Sequence, residues 1–380
     1  QQERNLFARF TSYHRSLTAQ PRRLRRRLTR KARRTLTDIA FMLTLGIALP
    51  AEAATLLVNI NIPDANADGL CSLIEAIDNA NADTQVHGDC PAGSGADVVQ
   101  LQSGSVHTIT AALSGLPAQG LPAISSELLI EGNGATVHVA AVPVDRVISV
   151  VASGELTVSE ATISGDAGSG TASNSPRIHN AGNLQLSNVS LPLLSNRVAG
   201  ITNLGTLTAD KLRVQGLGRY NVDYDFQNGN GILNEGNMTL ANSEVTDHAI
   251  YFAAVDYGSV VNRGNMRLEH SSITGNSNDR GGSATAGIDN FGVLYGAALN
   301  VSENYVWYGG WNAGIINQSA ATLTLTDSQL ERNFGGYRGY GGLHNSGLAD
   351  LKRVNIDRNT GLPVSYTHLR AHETLTPISY

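Results

Sequence analysis

The side chains best equipped for chemistry are aromatic and acidic residues gathered in the C-terminal half. Rings occur as Tyr220, Tyr224 and Phe226, then as Tyr251, Phe252 and Tyr257. They recur as Tyr305, Trp307, Tyr308 and Trp311, and as Phe334, Tyr337 and Tyr340. No Phe, Tyr or Trp lies between Thr55 and Arg219. In or beside the same segments stand Asp223, Asp225, Asp247, Asp256, Asp279 and Glu303, with His248, Arg280 and Arg338. A ring face packs on sugar C–H groups while polar neighbours take the hydroxyls, so this mixture suits an extended carbohydrate. The candidate binding residues are Tyr220, Tyr224, Tyr251, Tyr257, Tyr305, Trp307, Trp311, Tyr337 and Tyr340. The competing reading is that the rings pack on one another and fasten long loops to the body.

Carboxylates on neighbouring segments could also cleave a glycosidic bond or hold calcium. Asp223 and Asp225 would share one face of an extended chain, but they are a single pair. No dense Asp-Asp or Gly-His-Gly grouping occurs, and no Gly-x-Ser-x-Gly elbow that would announce a serine hydrolase. No catalytic residue, metal ligand or cofactor is assigned on this basis.

These segments are positioned by a repeat. In G-I-L-N-E-G-N-M-T-L-A-N-S-E-V-T-D, Gly231–Asp247, Gly236 follows Asn234 by two, Met238 and Leu240 alternate, and Ser243 and Val245 alternate again. The frame fits Asn180, Asn203, Asn262, Asn290 and Asn345, and it fits Asn317 once two extra residues are allowed before Leu323. An earlier copy begins at Ala152, with Ala in the Asn slot. A near-constant period of this size marks a solenoid whose repeats bury their apolar faces only against one another. Apolar spacing of two makes the segments strands. Three short strands with tight corners per repeat describe one coil of a parallel β-helix. The Gly permits a corner that a Cβ would crowd, and stacked Asn amides can bond to the coils above and below. The Asn residues are therefore read as structural, the alternative being a row of ligand-binding amides. Coil length varies before each Ile-x-Asn, so the aromatic segments must stack along one flank.

Upstream, Leu73, Ile74, Ala76, Ile77 and Ala80 fall at helical spacing, with Ser72 able to cap and Glu75 three residues later. The spacing predicts one short helix covering the open end of the solenoid. Cys71 and Cys90 flank it; in an exported chain they suit a disulfide, the alternative being two unpaired buried thiols.

The stretch D-G-L-C-S-L-I-E-A-I-D-N-A-N at Asp68–Asn81, followed by A-G-S-G-A-D at Ala92–Asp97, resembles the bacterial CSLREA domain. Ile74 departs from the Arg usual in that family, which puts a local ion pair in doubt. The repeats resemble the G-G-x-I-x-N-x-G-x-L-x-L-x-x-S-x-I-x-x-N coils of polymorphic outer-membrane-protein-like β-helices. The resemblance implies an all-β, right-handed parallel β-helix of the pectin-lyase-like kind, exported or surface-displayed and usually without known enzymatic activity. The expected function is a cell-surface or adhesion module, with an extracellular polysaccharide or a host or neighbouring cell surface as partner. The alternative is a polysaccharide lyase or glycoside hydrolase of the parallel β-helix type.

The expected division is 1–53 export signal with a basic upstream segment, 54–97 cap, 98–362 β-helix, and 363–380 foreign. The first part carries a basic run from Arg22 to Arg34, an apolar run Ile39–Pro50 too short to span a bilayer comfortably, and Ala51-Glu52-Ala53 as a small-x-small cleavage pattern. In the last part, V-S-Y-T-H-L-R-A-H-E-T at Val364–Thr374 breaks the repeat and looks like a translated sequencing adaptor. A membrane anchor is expected only beyond it. Residues 54–362 hold fourteen Lys/Arg against twenty-eight Asp/Glu, and so acidic a body has no electrostatic footprint for nucleic acid or an anionic membrane.

Overall fold

The computed structural model describes residues 53–113, 119–140, 144, 146–165, 176–192, 199–216, 230–250, 258–278, 285–306, 312–336, 339–361 and 369–371. One coil shows how the repeat folds. Gly258–Asn262, Asn265–Glu269 and Ser272–Thr274 are its three strands, and Ser277–Asn278 adds a two-residue fourth. Alternation in Asn265–Glu269 turns Met266 and Leu268 inward and leaves Asn265 and Arg267 exposed. Each coil then lies in register on the next. Met238, Met266, Leu294, Leu323 and Ala349 are consecutive partners, so one apolar column runs through the body. Side chains of this kind contribute roughly 1.5–3 kcal/mol each when fully buried.

All pairings between described strands are parallel, and the chain is a right-handed parallel β-helix, the hand that parallel crossovers take almost without exception. The second and third strands of the coils form a 19-stranded sheet, the Asn-bearing strands an eight-stranded sheet, and Ala249–Ile250, Ser277–Asn278 and Tyr305–Val306 a three-stranded one.

Two kinds of corner close the coil. After every column Asn except Asn317, where Ser319 stands in its place, a Gly approaches the coil below so closely that a Cβ on Gly236 would lie 2.1 Å from the Gly205 carbonyl oxygen, and one on Gly264 2.1 Å from that of Gly236. Backbone contact, not an unusual φ, excludes a side chain there. The other corners are single left-handed residues. Asn133, Glu160, Asn188, Lys211, Asn242, His270, Ala298, Asp327 and Arg353, all at positive φ, form one row between the second and third strands. Asp247, Gly275, Glu303, Arg332 and Arg358 form another just past the third strand.

The column Asn residues are fully buried from Asn180 to Asn345. Each Nδ2 donates to the Oδ1 of the next Asn at 2.7–2.8 Å through Asn180, Asn203, Asn234, Asn262, Asn290, Asn317 and Asn345. The second amide hydrogen reaches a carbonyl of the adjacent coil, such as Asn265 from Asn234 and Val293 from Asn262. In the coil before Asn180 the register places Val150 opposite Asn180, so Val150 takes the slot assigned to Ala152. The turn after Val150, closed by Gly154 N–H donating to the Val151 carbonyl, absorbs two extra residues.

Helix α1, Leu73–Ala82, begins with a complete capping box: Ser72 Oγ accepts from Glu75 N–H, and Glu75 Oε2 accepts from Ser72 N–H. Its buried face joins the solenoid core, and Cys71 is bonded to Cys90 with Cα atoms 4.7 Å apart. A strand before the helix, Thr55–Leu57, already pairs with Asp97–Gln100, so the segment 54–97 contributes to the sheet as well as covering it. Val106–Ile109 is a further strand that its sequence did not announce. Leu369–Ala371 pairs in parallel with Leu348–Lys352.

Candidate functional site

The loop flank is rooted between the three-stranded sheet and the Asn-bearing sheet. At the first root, Tyr305 and Phe334 occupy one row on adjacent coils and stack with centroids 4.4 Å apart and planes 10° apart. At the second, just before the strand Leu343–Asn345, Tyr340 stacks on His344 at 4.3 Å and 10°. Both tyrosines are half-buried, so each pair keeps part of its surface in solvent. The first pair forms because neighbouring coils deliver equivalent positions at roughly 4.8 Å, close to the separation of stacked rings, whereas the second joins residues four apart in one coil. Tyr220, Tyr224, Tyr251, Tyr257, Trp307, Trp311 and Tyr337 lie outside the described residues, as do Asp223, Asp225, Asp256, Asp279, Arg280 and Arg338.

The described acids of the flank are committed to neighbours. Asp247 and Glu303 both occupy the second left-handed row, two coils apart with Gly275 between. Asp247 Oδ2 accepts from Gln215 Nε2 at 3.2 Å, and Glu303 Oε1 accepts from Arg332 Nη1 at 3.3 Å. His248 is buried. Of the groups with displaced protonation, His107 and His344 are pushed below the usual histidine range by burial, and His179 by burial with Arg146 nearby. Asp327 is held low by its hydrogen bond to Arg353. None of these forms an acid and base pair facing one cleft.

Two features escaped the sequence reading. A second column, the buried Asn276, Asn304 and Asn333 with the part-exposed Asn359, is joined by amide bonds of 2.9–3.0 Å. Its signal was a further Asn fourteen residues beyond Asn262, Asn290 and Asn345. At the corner after the Asn column the Arg263 guanidinium lies over the Phe291 ring at 5.6 Å, and on the adjoining 19-stranded sheet that of Arg267 lies over Tyr295 at 4.1 Å. Arg263 also meets Glu235 at 3.5 Å, and Arg267 pairs with Glu269, so this platform carries no net charge.

The segment Asp64-x-Asn66-x-Asp68-Gly69 with Glu75 has the spacing of a calcium loop. Here its groups serve the turn: Asn66 Nδ2 donates to Asp64 Oδ2, Leu70 N–H to Asp68 Oδ1, and Glu75 is spent on the helix cap. Among the described residues no group of three or more His, Cys, Asp or Glu could hold a metal ion. Among them, too, no helix is long and apolar enough to cross a membrane. No family model, curated protein or solved structure matches the chain.

Proposed function

We propose that the protein is an exported β-helix that works as a cell-surface or adhesion module, binding glycan along its aromatic loop flank. The observation that carries this reading is the stacked, part-exposed pair Tyr305 and Phe334 at the root of the flank. Flat apolar faces beside polar side chains are what sugar rings pack against. Export is supported by the Cys71–Cys90 bond, since disulfides persist in oxidising compartments, and by the signal-like pattern of residues 1–53. The CSLREA-like cap and the outer-membrane-protein-like repeats agree with display outside the cell. The acids that the structure describes on the flank are held by Gln215 and Arg332, an arrangement suited to fastening coils.

The test is to place the purified chain on a glycan array and, in parallel, to assay the bound polysaccharides for new reducing ends or unsaturated products. Retention without product release is expected. Product release would replace this reading with that of a polysaccharide-degrading β-helix.

A further inference from the structure

The left-handed row between the second and third strands stands beside the outward-facing residues of the third strands. Between them lies a surface groove of about 490 Å3. Its edge is Gly134, Glu160, Asn188, Lys211 and Asn242, one residue from each of five successive coils. Four coil rises of roughly 4.8 Å make it about 19 Å long. The facing wall is Thr162, Ser190, Arg213 and Glu244, and the floor is the buried Ala161, Val189 and Leu212.

Two observations separate this groove from an ordinary corner. The first concerns charge. Arg213 and Glu244 are 3.8 Å apart and both half exposed, a loose contact that solvent screens. Lys211 and Glu160 have no ion-pair partner among the described residues. Farther along the same row, Asp327 and Arg353 close on each other through two hydrogen bonds, so their charges are explained by packing. The second concerns residue type. Positive φ is common to the whole row, His270 and Ala298 included, and Asn suits it, as at Asn188 and Asn242. Lys211 and Glu160 instead place two long charged side chains at the groove's edge, neither with an ion-pair partner among the described residues.

We propose that this groove binds a neutral oligosaccharide lying along the solenoid axis. The lining holds two cations and two carboxylates, so it presents strong donors and strong acceptors with no net charge. A polyol, whose every hydroxyl both donates and accepts, matches that pattern. A polyanion would meet Glu160 and Glu244 in a body that is already strongly acidic. A peptide strand has no free edge to join, because the strands here pair on both sides, as Glu155–Gly165 does with Glu127–Val139 and Asn183–Pro192. Asn188 and Asn242 stand two coil rises, about 9.6 Å, apart, where amides can reach hydroxyls of alternate sugar units, and Asn242 Nδ2 also donates to Asp210 Oδ1. This site is separate from the aromatic flank.

The test titrates the full chain with neutral tetrasaccharides, those of cellulose, β-1,3-glucan, β-mannan and chitin, and with tetragalacturonate for comparison. At least one neutral tetrasaccharide should bind in the millimolar range or tighter, and better than tetragalacturonate. Lys211→Asn and Glu160→Asn should each weaken that binding about tenfold or more. Because Asn suits the left-handed corner, both variants should keep or raise the thermal midpoint, so loss of binding cannot be charged to misfolding. Ala298→Asn, in the same left-handed row but two coils beyond the groove, should leave this binding unchanged, which ties the loss to the groove. The proposal is overturned if no neutral tetrasaccharide binds, if tetragalacturonate binds better, or if binding survives both Asn substitutions.

Discussion

Asn262 shows what a buried polar side chain does in this molecule. Its Oδ1 accepts from Asn234, and its Nδ2 serves both Asn290 and the Val293 carbonyl. Replacing it with Leu strands a donor below and acceptors above, at a cost of about 1–3 kcal/mol. Urea unfolding of Asn262→Leu should show that loss as a lower midpoint; an unchanged midpoint would mean that the amides stabilise nothing. Histidine supplies a second prediction at this scale. Burial lowers the pKa of His107 and His344 below the ordinary 6.5, so the unfolded chain binds more protons as pH falls. Their contribution is absent above pH 6.5 and becomes increasingly destabilising from there down to the depressed folded values. Denaturant stability should therefore decline on going from pH 7.5 to 5.5, and His344→Asn should flatten that slope. A slope unaffected by the substitution would remove His344 from the account.

At the scale of elements, the cap and the corners divide the work. Helix α1 closes the core end, and the Cys71–Cys90 bond pins its approaches together across nineteen residues. Reduction should lower stability by about 3 kcal/mol, the value for a loop of this size. The change would be read as a shifted urea midpoint with and without reductant, and an unmoved midpoint would assign the bond no stabilising part. The strands and the first Asn column were legible because a period of two inside a longer fixed period has few other solutions, as in Met238 and Leu240 after Asn234. Val106–Ile109 was not legible, because a lone four-residue strand outside the repeat offers no second copy for comparison. The left-handed corners were hidden for another reason. Lys211, Ala298 and Arg353 are residue types that do not advertise positive φ, and the coil imposes it on them. The Ala152 slot failed because two residues inserted after Val150 shift the register without disturbing the apolar alternation that follows.

At the scale of the whole molecule, the solenoid converts a sequence period into a surface period. Equivalent residues recur at one height step, so a flank position that carries Tyr305 in one coil carries Phe334 in the next. That is why a row of aromatic positions was legible in the sequence, as Tyr305 and Phe334 show, the other candidate residues except Tyr340 lying outside the described ones. It was not legible as a geometry, since the stacking partner of Tyr340 proved to be His344, a residue of the strand itself. The central claim is that this flank binds glycan and does not merely fasten loops. Its most direct test is the double variant Tyr305→Ala/Phe334→Ala, measured for glycan-array retention and for urea stability on the same preparation. The account predicts that retention is lost while the unfolding midpoint stays close to that of the parent chain. Retention that persists, with stability lowered by about 3–5 kcal/mol as for aromatic truncation in a core, would contradict it.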